Sequence, residues 1–488
     1  MSATRLLPLA AALLLAVFPL FVRLDSIPLH VFDEARLANN ALEMTQNGNI
    51  WVTHYNGEPD LWNTKPPLAV WAQAICMYFF GYTELAVRLP SALCGLATAL
   101  LLYWFCATAM KDRLGGLLSV LVLVTTPGYV TAHVTRTGDY DAMLILWATA
   151  FLLLGFIGLE QGRSRTLLYG LLALALGILT KSVAPLFFLP GLLLYLLIGG
   201  RWRELLRNPY LYLGIAALIL LVGGYYLWRE HLSPGYLQAV WENELGGRFQ
   251  GSLEAHREPA GFYLRRLWRE AFVPWIFFLP VSILALFQTG RPKGRSLFLT
   301  LMSAGLGFLL VISLAQTKLS WYAAPLLPLL SLIVGLGLAP VLRAAARFFG
   351  SGTPYRRRLS LALLLLALGG QPYFEILRSV YVFQDRAHAW ESRQYGPFLQ
   401  GLKGKYPLTV AQWGYQAHIQ FYVKALRAQG YQIGTRSPVE LQVGNYAVVC
   451  EETPRAFLDE LYQYRTLERY RECLLVEITA VNPATRKK

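Results

Sequence analysis

The sequence predicts an all-α polytopic membrane protein, with about 11–13 transmembrane helices, that carries a small extracytoplasmic α/β domain at its C-terminal end. Three observations predict this. Of the 488 residues, 55% are hydrophobic and only 15% charged, where soluble domains carry about 25% charged. Apolar segments near the ~20 residues that a spanning helix needs recur along the first three quarters of the chain. After about residue 380 the apolar runs stop and short alternating runs replace them. The mean hydropathy of +0.40 excludes a disordered chain and leaves too little polar surface for a water-soluble one.

The first apolar segment runs from Leu6 to Leu24. Arg5 flanks it as in a signal peptide, but no convincing small-residue cleavage site follows, so it reads as an uncleaved first span. Ten more candidates follow, at roughly 86–110, 114–133, 139–159, 166–180, 183–199, 208–228, 271–289, 296–315, 320–341 and 358–376. With the N-terminus inside, the cytoplasmic loops are Lys111–Arg113, Gly162–Arg165, Arg201–Arg207, Arg291–Arg295 and Arg343–Arg358. All five are basic and poor in acids, as the positive-inside rule requires. These loops absorb most of the net charge of +15, from 44 Lys+Arg against 29 Asp+Glu. The basic balance therefore marks topology, and no nucleic-acid partner is expected.

The other face holds two long loops, at about 25–85 and 229–270, and the tail. The membrane domain is placed at 1–380 and the soluble domain at 381–488. Strand-like runs in the tail are Leu408–Trp413, Tyr446–Cys450 and Leu474–Ile478, with a polar helical stretch at Phe457–Tyr464. Five cysteines are too few for a disulfide framework, and none sits in a zinc-like cluster. Cys450 and Cys473 read equally well as a pair or as two strand thiols.

Ionisable residues near membrane depth are costly and mark functional sites by default. Here they gather at the extracytoplasmic ends of the spans. Loop one carries Asp33-Glu34-Ala35-Arg36, then Lys65-Pro66-Pro67-Leu68 before a short apolar run to Phe80 that suits a helix lying at the interface. Thr135 to Asp141, with Arg136, and Thr180-Lys181 follow on the same face. The second long loop adds Trp241 to Glu244, Arg248-Phe249 and His256 between acids; Lys318 to Tyr322 opens span ten. Each has a bland reading alone: a helix-start acid, a snorkelling lysine, a solvated loop histidine, an aromatic belt. Together, cations suit a phosphate, carboxylates suit a base for a hydroxyl, and aromatics suit a sugar.

In this order the motifs resemble the GT-C glycosyltransferases of the protein-mannosyltransferase and lipid A aminoarabinose transferase type. The likeness rests on Asp33-Glu34-x-Arg36, Lys65-Pro66-Pro67-Leu68, Val87 to Ser91, Arg136 to Asp141, Thr180-Lys181, Arg248-Phe249 with His256 to Pro259, and Lys318 to Tyr322 with Pro325 and Pro328. It covers about 5–345. It implies a membrane glycosyltransferase of GT-C type, in a bacterial inner membrane with its site and tail on the periplasmic side. The donor would be a polyprenyl-phosphate sugar, and the acceptor a lipid, glycan or protein. Catalytic carboxylates are then expected among Asp33, Glu34 and Asp141, with Asp33 as base in an inverting single displacement. Arg36, Lys65, Arg136 and Lys318 are expected on the donor phosphate, and Lys181, His256 and Tyr322 along the substrate cavity. A divalent cation is the one cofactor the resemblance allows, with its ligands unknown. The aminoarabinose transferases lead one to expect Glu just before Lys-Pro-Pro; Thr64 stands there, which puts a metal site and aminoarabinose itself in doubt. Competing readings are a polyprenyl-linked glycan ligase or polymerase and a secondary transporter. The one-sided charges and the lack of an internal repeat argue against a transporter.

Overall fold

The computed structural model describes residues 3–246, 258–288, 292–350, 353–382 and 394–482. The longer helices in chain order are α1 (Ala3–Phe21), α2 (Asp33–Asn47), α3 (Leu68–Phe80), α4 (Glu84–Thr108), α5 (Arg113–Val124), α6 (Asp141–Glu160) and α7 (Arg165–Lys181). Then come α8 (Ala184–Ile198), α9 (Pro209–Leu232), α10 (Phe262–Ala271), α11 (Trp275–Gln288), α12 (Lys293–Leu314), α13 (Ala324–Phe349) and α14 (Pro354–Tyr381). The tail adds α15 (Ala417–Ala428) and α16 (Glu452–Leu461).

Among the described residues, six helices are long and apolar enough to cross a membrane: α4, α6, α9, α12, α13 and α14. The pair α10 and α11, bent by 101° at a break that contains Pro274, makes a seventh if counted as one. The chain is a multi-pass membrane protein. The count falls short of eleven full-length spans because several apolar runs fold into shorter helices. α5, for example, ends at Val124, after which Thr125 and Thr126 turn their hydroxyls back onto the carbonyls of Leu121 and Val122. The run expected at 114–133 is therefore helical over only half its length.

Two compact units emerge. The first comprises Met1–Val22, Pro59–Ala69 and Leu89–Tyr381. Its core is almost wholly aliphatic and aromatic, drawn from α1 and α4 to α14. Small residues set the closest helix contacts, as in membrane bundles generally. Gly335 of α13 lies against Ser119 of α5, and Gly191 of α8 against Ser303 and Gly307 of α12; a side chain at Gly335 or Gly191 would collide with backbone. At the basic loops the few acids are used structurally. Asp112 caps α5 through the Gly115 amide (2.9 Å) and pairs with Arg343; Glu160 pairs with Arg201.

The second unit comprises Arg23–Glu58, Val70–Arg88 and Val382–Lys488. Loop one thus belongs largely with the C-terminal region, a division different from the one placed at residue 380. Its sheet has five strands: β1 (Leu408–Ala411), β2 (Ile433–Arg436), β3 (Tyr446–Val449), β4 (Tyr462–Tyr470) and β5 (Cys473–Val481). Their order is β2-β1-β3-β5-β4. β1 runs parallel to β2 and to β3, while β5 is antiparallel to both β3 and β4. The central strands are apolar and buried on both faces. β4, at the edge, reads YQYRTLERY and hides that pattern, so the helix expected over Phe457–Tyr464 gives way to strand at Tyr462. Cys450 and Cys473 form a disulfide that ties the end of β3 to the start of β5.

Loop one joins this unit through α2 and α15. Lys424 of α15 donates to the Glu43 carboxylate (2.6 Å) and to the side-chain oxygens of Asn39 (3.1 Å) and Asn56 (3.0 Å). Burial pulls the Lys424 ammonium down from its ordinary range, and Glu43 opposes that pull. Glu43 also accepts the amides of Asn56 and Gly57 (2.7 and 2.9 Å), whose positive φ values make the turn after Tyr55. The Asn39 amide donates to the Ala417 carbonyl (2.7 Å), and Tyr422 donates to Glu84 while accepting the Leu29 amide.

A second anchor is buried. Arg88, in the first turns of α4, reaches both Glu34 oxygens (2.6 and 2.9 Å) and the carbonyls of Leu24, Ile27 and Pro28. Burial alone would raise the Glu34 carboxyl; the Arg88 charge and hydrogen bonds, helped by His30, win and hold it at about 2 against an ordinary 4.5. A depressed carboxyl stabilises the fold above its unfolded value and loses that contribution as pH falls through the folded one. Acid is therefore expected to remove on the order of 3 kcal/mol from this unit between about pH 4.5 and 2. Arg88→Ala at neutral pH strands a buried charge and is expected to cost about 3–5 kcal/mol. Thermal unfolding of the purified protein checks both. The double change Glu34→Gln with Arg88→Met should recover most of the loss, and an unchanged melting temperature for Arg88→Ala would remove the pair from this role.

Candidate active site

In the first unit, a cavity collects charged groups in an apolar shell. Its lining includes Lys65, Asp141, Lys181, Glu244, Tyr322 and Phe308. The local sequence explains each placement. Pro66 and Pro67 cannot extend a helix backwards, so α3 starts at Leu68 and Lys65 stays in a fixed loop. Asp141 is the first residue of α6, where the helix dipole favours an anion. Lys181 is the last residue of α7, where it favours a cation.

The charges are paired. Lys181 donates to both Asp141 oxygens at 2.7 and 2.6 Å, and its ammonium lies 5.2 Å from the Tyr322 ring centroid. Lys65 lies 3.1 Å from the Glu244 carboxylate and 5.4 Å from the Tyr140 ring centroid. Lys65 is 14% exposed and Glu244 8%. Glu244 also accepts from the Thr64 hydroxyl at a long 3.4 Å. The loop before Lys65 is clamped on several sides. Tyr236 donates to the Thr64 carbonyl (2.7 Å), Tyr140 to the Asn63 side chain (2.9 Å), and the Asn243 side chain to the Leu61 carbonyl (3.0 Å). Asp60 caps the turn by accepting the amides of Trp62 and Asn63.

Of the residues expected from the sequence, the structure thus brings Lys65, Asp141, Lys181 and Tyr322 together around one cavity. Lys318 is buried, donates to the Ala315 carbonyl (2.6 Å) and meets no carboxylate among the described residues. Arg136 is placed differently from the expectation of a phosphate ligand: its guanidinium donates to the carbonyls of Pro19, Leu20 and Val22 and closes the end of α1. Glu34 is fully buried on Arg88, as described above. Asp33, exposed, begins α2, and Arg36 lies with its guanidinium 4.3 Å from the Tyr55 ring centroid. These three belong to the second unit. His256 lies outside the described residues, as does Arg248.

Sequence reasoning missed the role of Glu244. The sequence shows it only as part of an acidic loop, and nothing local in that loop points to a lysine 179 positions earlier. It missed the pairing of His133 as well: the imidazole stacks on Trp321 with ring centroids 3.8 Å apart and lies 3.5 Å from Asp139. At Thr64, where the resemblance implies a glutamate, the hydroxyl donates to the Glu244 carboxylate, which also pairs with Lys65.

Residues 64–228 match the family described as dolichyl-phosphate-mannose-protein mannosyltransferase. The crystal structure of ArnT from Cupriavidus metallidurans bound to undecaprenyl phosphate superposes with a TM-score of 0.70, covering 97% of this chain and 98% of that one at 19% identity. The chain has the ArnT-like GT-C fold. The archaeal oligosaccharyltransferase AglB from Archaeoglobus fulgidus shares this GT-C fold at a TM-score of 0.56 and 12% identity, over 91% of this chain and 66% of that one. In sequence, the undecaprenyl phosphate-α-4-amino-4-deoxy-L-arabinose arabinosyl transferase of Pseudomonas paraeruginosa is 30% identical over 392 residues, 76% of this chain. The chain spans 66% of that relative's own length, and 58% of the corresponding enzyme of Aeromonas hydrophila, which is 28% identical over 328 residues. The GT-C resemblance and the small strand-containing C-terminal domain, both read from the sequence, agree with these findings.

Proposed function

We propose that the protein is a membrane glycosyltransferase that moves a sugar from a polyprenyl-phosphate donor to a lipid, glycan or protein acceptor. The observation that carries this reading is Lys65: a mostly buried ammonium, fixed before Pro-Pro in a GT-C fold, with an exchangeable carboxylate as its partner. The similarity to aminoarabinosyl transferases supports the same donor class and makes lipid A the first acceptor to test.

In the proposed reaction the acceptor oxygen attacks the anomeric carbon on the face opposite the phosphate. The carbon–oxygen bond to phosphate breaks, and polyprenyl phosphate departs with the electron pair. The acceptor proton goes to Asp33, assigned by the resemblance, and the configuration inverts. Lys65 stabilises the charge that grows on the departing phosphate, with Lys318 as a second cation. Asp141 and Lys181 hold each other and line the sugar side with Tyr322. Glu34 positions loop one through Arg88. We place the site and the tail on the periplasmic side of a bacterial inner membrane. The basic loops on the opposite face support this, as does a disulfide in the tail, a bond that persists in oxidising compartments.

Mass spectrometry of lipid A and envelope glycans with and without the gene tests the proposal. A sugar missing from one acceptor in the deletion strain, restored by the wild-type gene, supports it; unchanged glycans in every envelope fraction reject it. Glu244 gives a second test. A phosphate must take Lys65 from Glu244, so Glu244→Gln is expected to lower the donor KM about tenfold, as one lost charge competitor implies. Steady-state transfer in nanodiscs measures it, and an unchanged donor KM would deny Glu244 the competing role.

A further inference from the structure

The second unit carries an aromatic cluster that the proposed chemistry leaves unused. In its sheet, β2 and β3 flank β1 on opposite sides, all three parallel. The chain therefore leaves β1 toward one side and later returns on the other. In open α/β sheets ligands bind outside the carboxyl ends of the strands at such a point, where diverging loops leave a crevice. Here the loop after β1 is Gln412 to Gln416, and the loop after β3 is Cys450 to Glu451. The Gln416 amide bridges them by donating to both Glu451 oxygens (3.0 and 3.1 Å).

This β1 loop holds out two large aromatics, Trp413 and Tyr415, 48% and 42% exposed. Gly414 between them has φ +71°, the turn that lifts both rings. Tyr415 stacks on Phe32 with ring centroids 6.1 Å apart and planes within 7°, and on Tyr55 at 6.2 Å. The Arg36 guanidinium lies 4.3 Å from the Tyr55 centroid and 5.9 Å from that of Tyr415. Phe32 is 68% exposed, and the next residue is Asp33. Three stacked rings with polar groups at their rim therefore stand open at the switch point, beside the candidate base.

We propose that this cluster is the docking platform for the sugar headgroup of a glycolipid acceptor. Ring faces carry negative partial charge and meet the positively polarised C–H faces of a pyranose. Arg36, Asp33 and Glu451 supply the few polar groups that fix its hydroxyls. An apolar peptide would use a groove rather than a flat stack edged with three charges. On this assignment Arg36 serves the acceptor and not the donor phosphate. The soluble domain then becomes a reader of the acceptor, through Tyr415. The assignment rests on the transferase reading given above.

The test uses the full-length protein in nanodiscs, with Tyr415→Ser, Phe32→Ala and, as the ring-preserving control, Tyr415→Phe. Two readouts separate the ideas: the acceptor KM for lipid A with a polyprenyl-phosphate sugar donor, and direct binding of fluorescent lipid A and of the free glucosamine disaccharide. Tyr415→Ser and Phe32→Ala should each raise the acceptor KM and weaken both ligands about tenfold. The donor KM, kcat and melting temperature should stay as in the wild type, and Tyr415→Phe should behave as wild type. Equal binding of both ligands by wild type and Tyr415→Ser overturns the platform even where transfer proceeds. Loss of lipid A binding with the disaccharide unaffected also overturns it, since the acyl chains would then be what is read. Wild-type protein that binds both ligands through Tyr415 but transfers no sugar rejects the transferase reading and leaves the platform standing.

Discussion

A Lys65→Ala protein is expected to lose sugar transfer by about 10²–10³-fold, the usual effect of removing one preorganised donor from a developing anion. The cavity around Lys65 is lined mainly by apolar side chains such as Leu144, Phe187, Phe308 and Ile312. This apolar lining lowers the local dielectric, which strengthens what the lysine does. The loss should fall on kcat, because the charge grows as the phosphate leaves. Lys65→Arg should recover part of it, since the charge returns but the planar fork does not fit a point-charge site. Single-turnover transfer from a labelled polyprenyl-phosphate sugar gives the rate, and binding of polyprenyl phosphate alone gives the affinity. Normal binding and normal turnover in Lys65→Ala would take the donor phosphate away from this cavity.

The second large effect is expected at Asp33. Asp33→Asn keeps size and polarity and removes the capacity to accept a proton, so transfer should fall by about 10²–10⁴-fold. Expression and melting temperature should be unaffected, because Asp33 is an exposed residue in the first turn of α2. This contrasts with its neighbour: Glu34 is fully buried, and its loss should unfold before it inactivates. The pair Asp33→Asn and Glu34→Gln therefore separates chemistry from stability at adjacent positions. Full residual turnover in Asp33→Asn would remove it from the base role.

What was legible in the sequence follows from range. The apolar runs, the basic loops and the Pro-Pro before α3 are local patterns with local physical causes. They yielded the membrane class, the position of Lys65 and the positions of most helices. Asp141 and Lys181 were placed on one face because each ends a span there. The contacts that organise the site are long-range and leave no local mark. Glu34 meets Arg88 54 positions away, and the Thr64 hydroxyl meets Glu244 180 positions away. Arg136 looked like a phosphate ligand because a cation at a helix mouth suits one. Only the fold reveals the end of α1 beside it, whose bare carbonyls are the acceptors it meets. Strand β4 was unreadable for another reason. An edge strand has little apolar face to show, so its alternation is weak.

The bonds between α2 and α15 change what kind of thing the C-terminal region is. A soluble tail behind a membrane bundle looks like a detachable accessory, added or lost without consequence for the chemistry. Here the segment that carries Asp33 takes hydrogen bonds from Lys424, 381 positions along the chain, and the Leu29 amide finds its acceptor in Tyr422. Loop one thus borrows its order from a segment nearly four hundred positions further along the chain. A chain cut short before the tail would have its apolar bundle but an unsupported loop one. Truncation would read out as a catalytic defect although every residue of the membrane cavity remained in place.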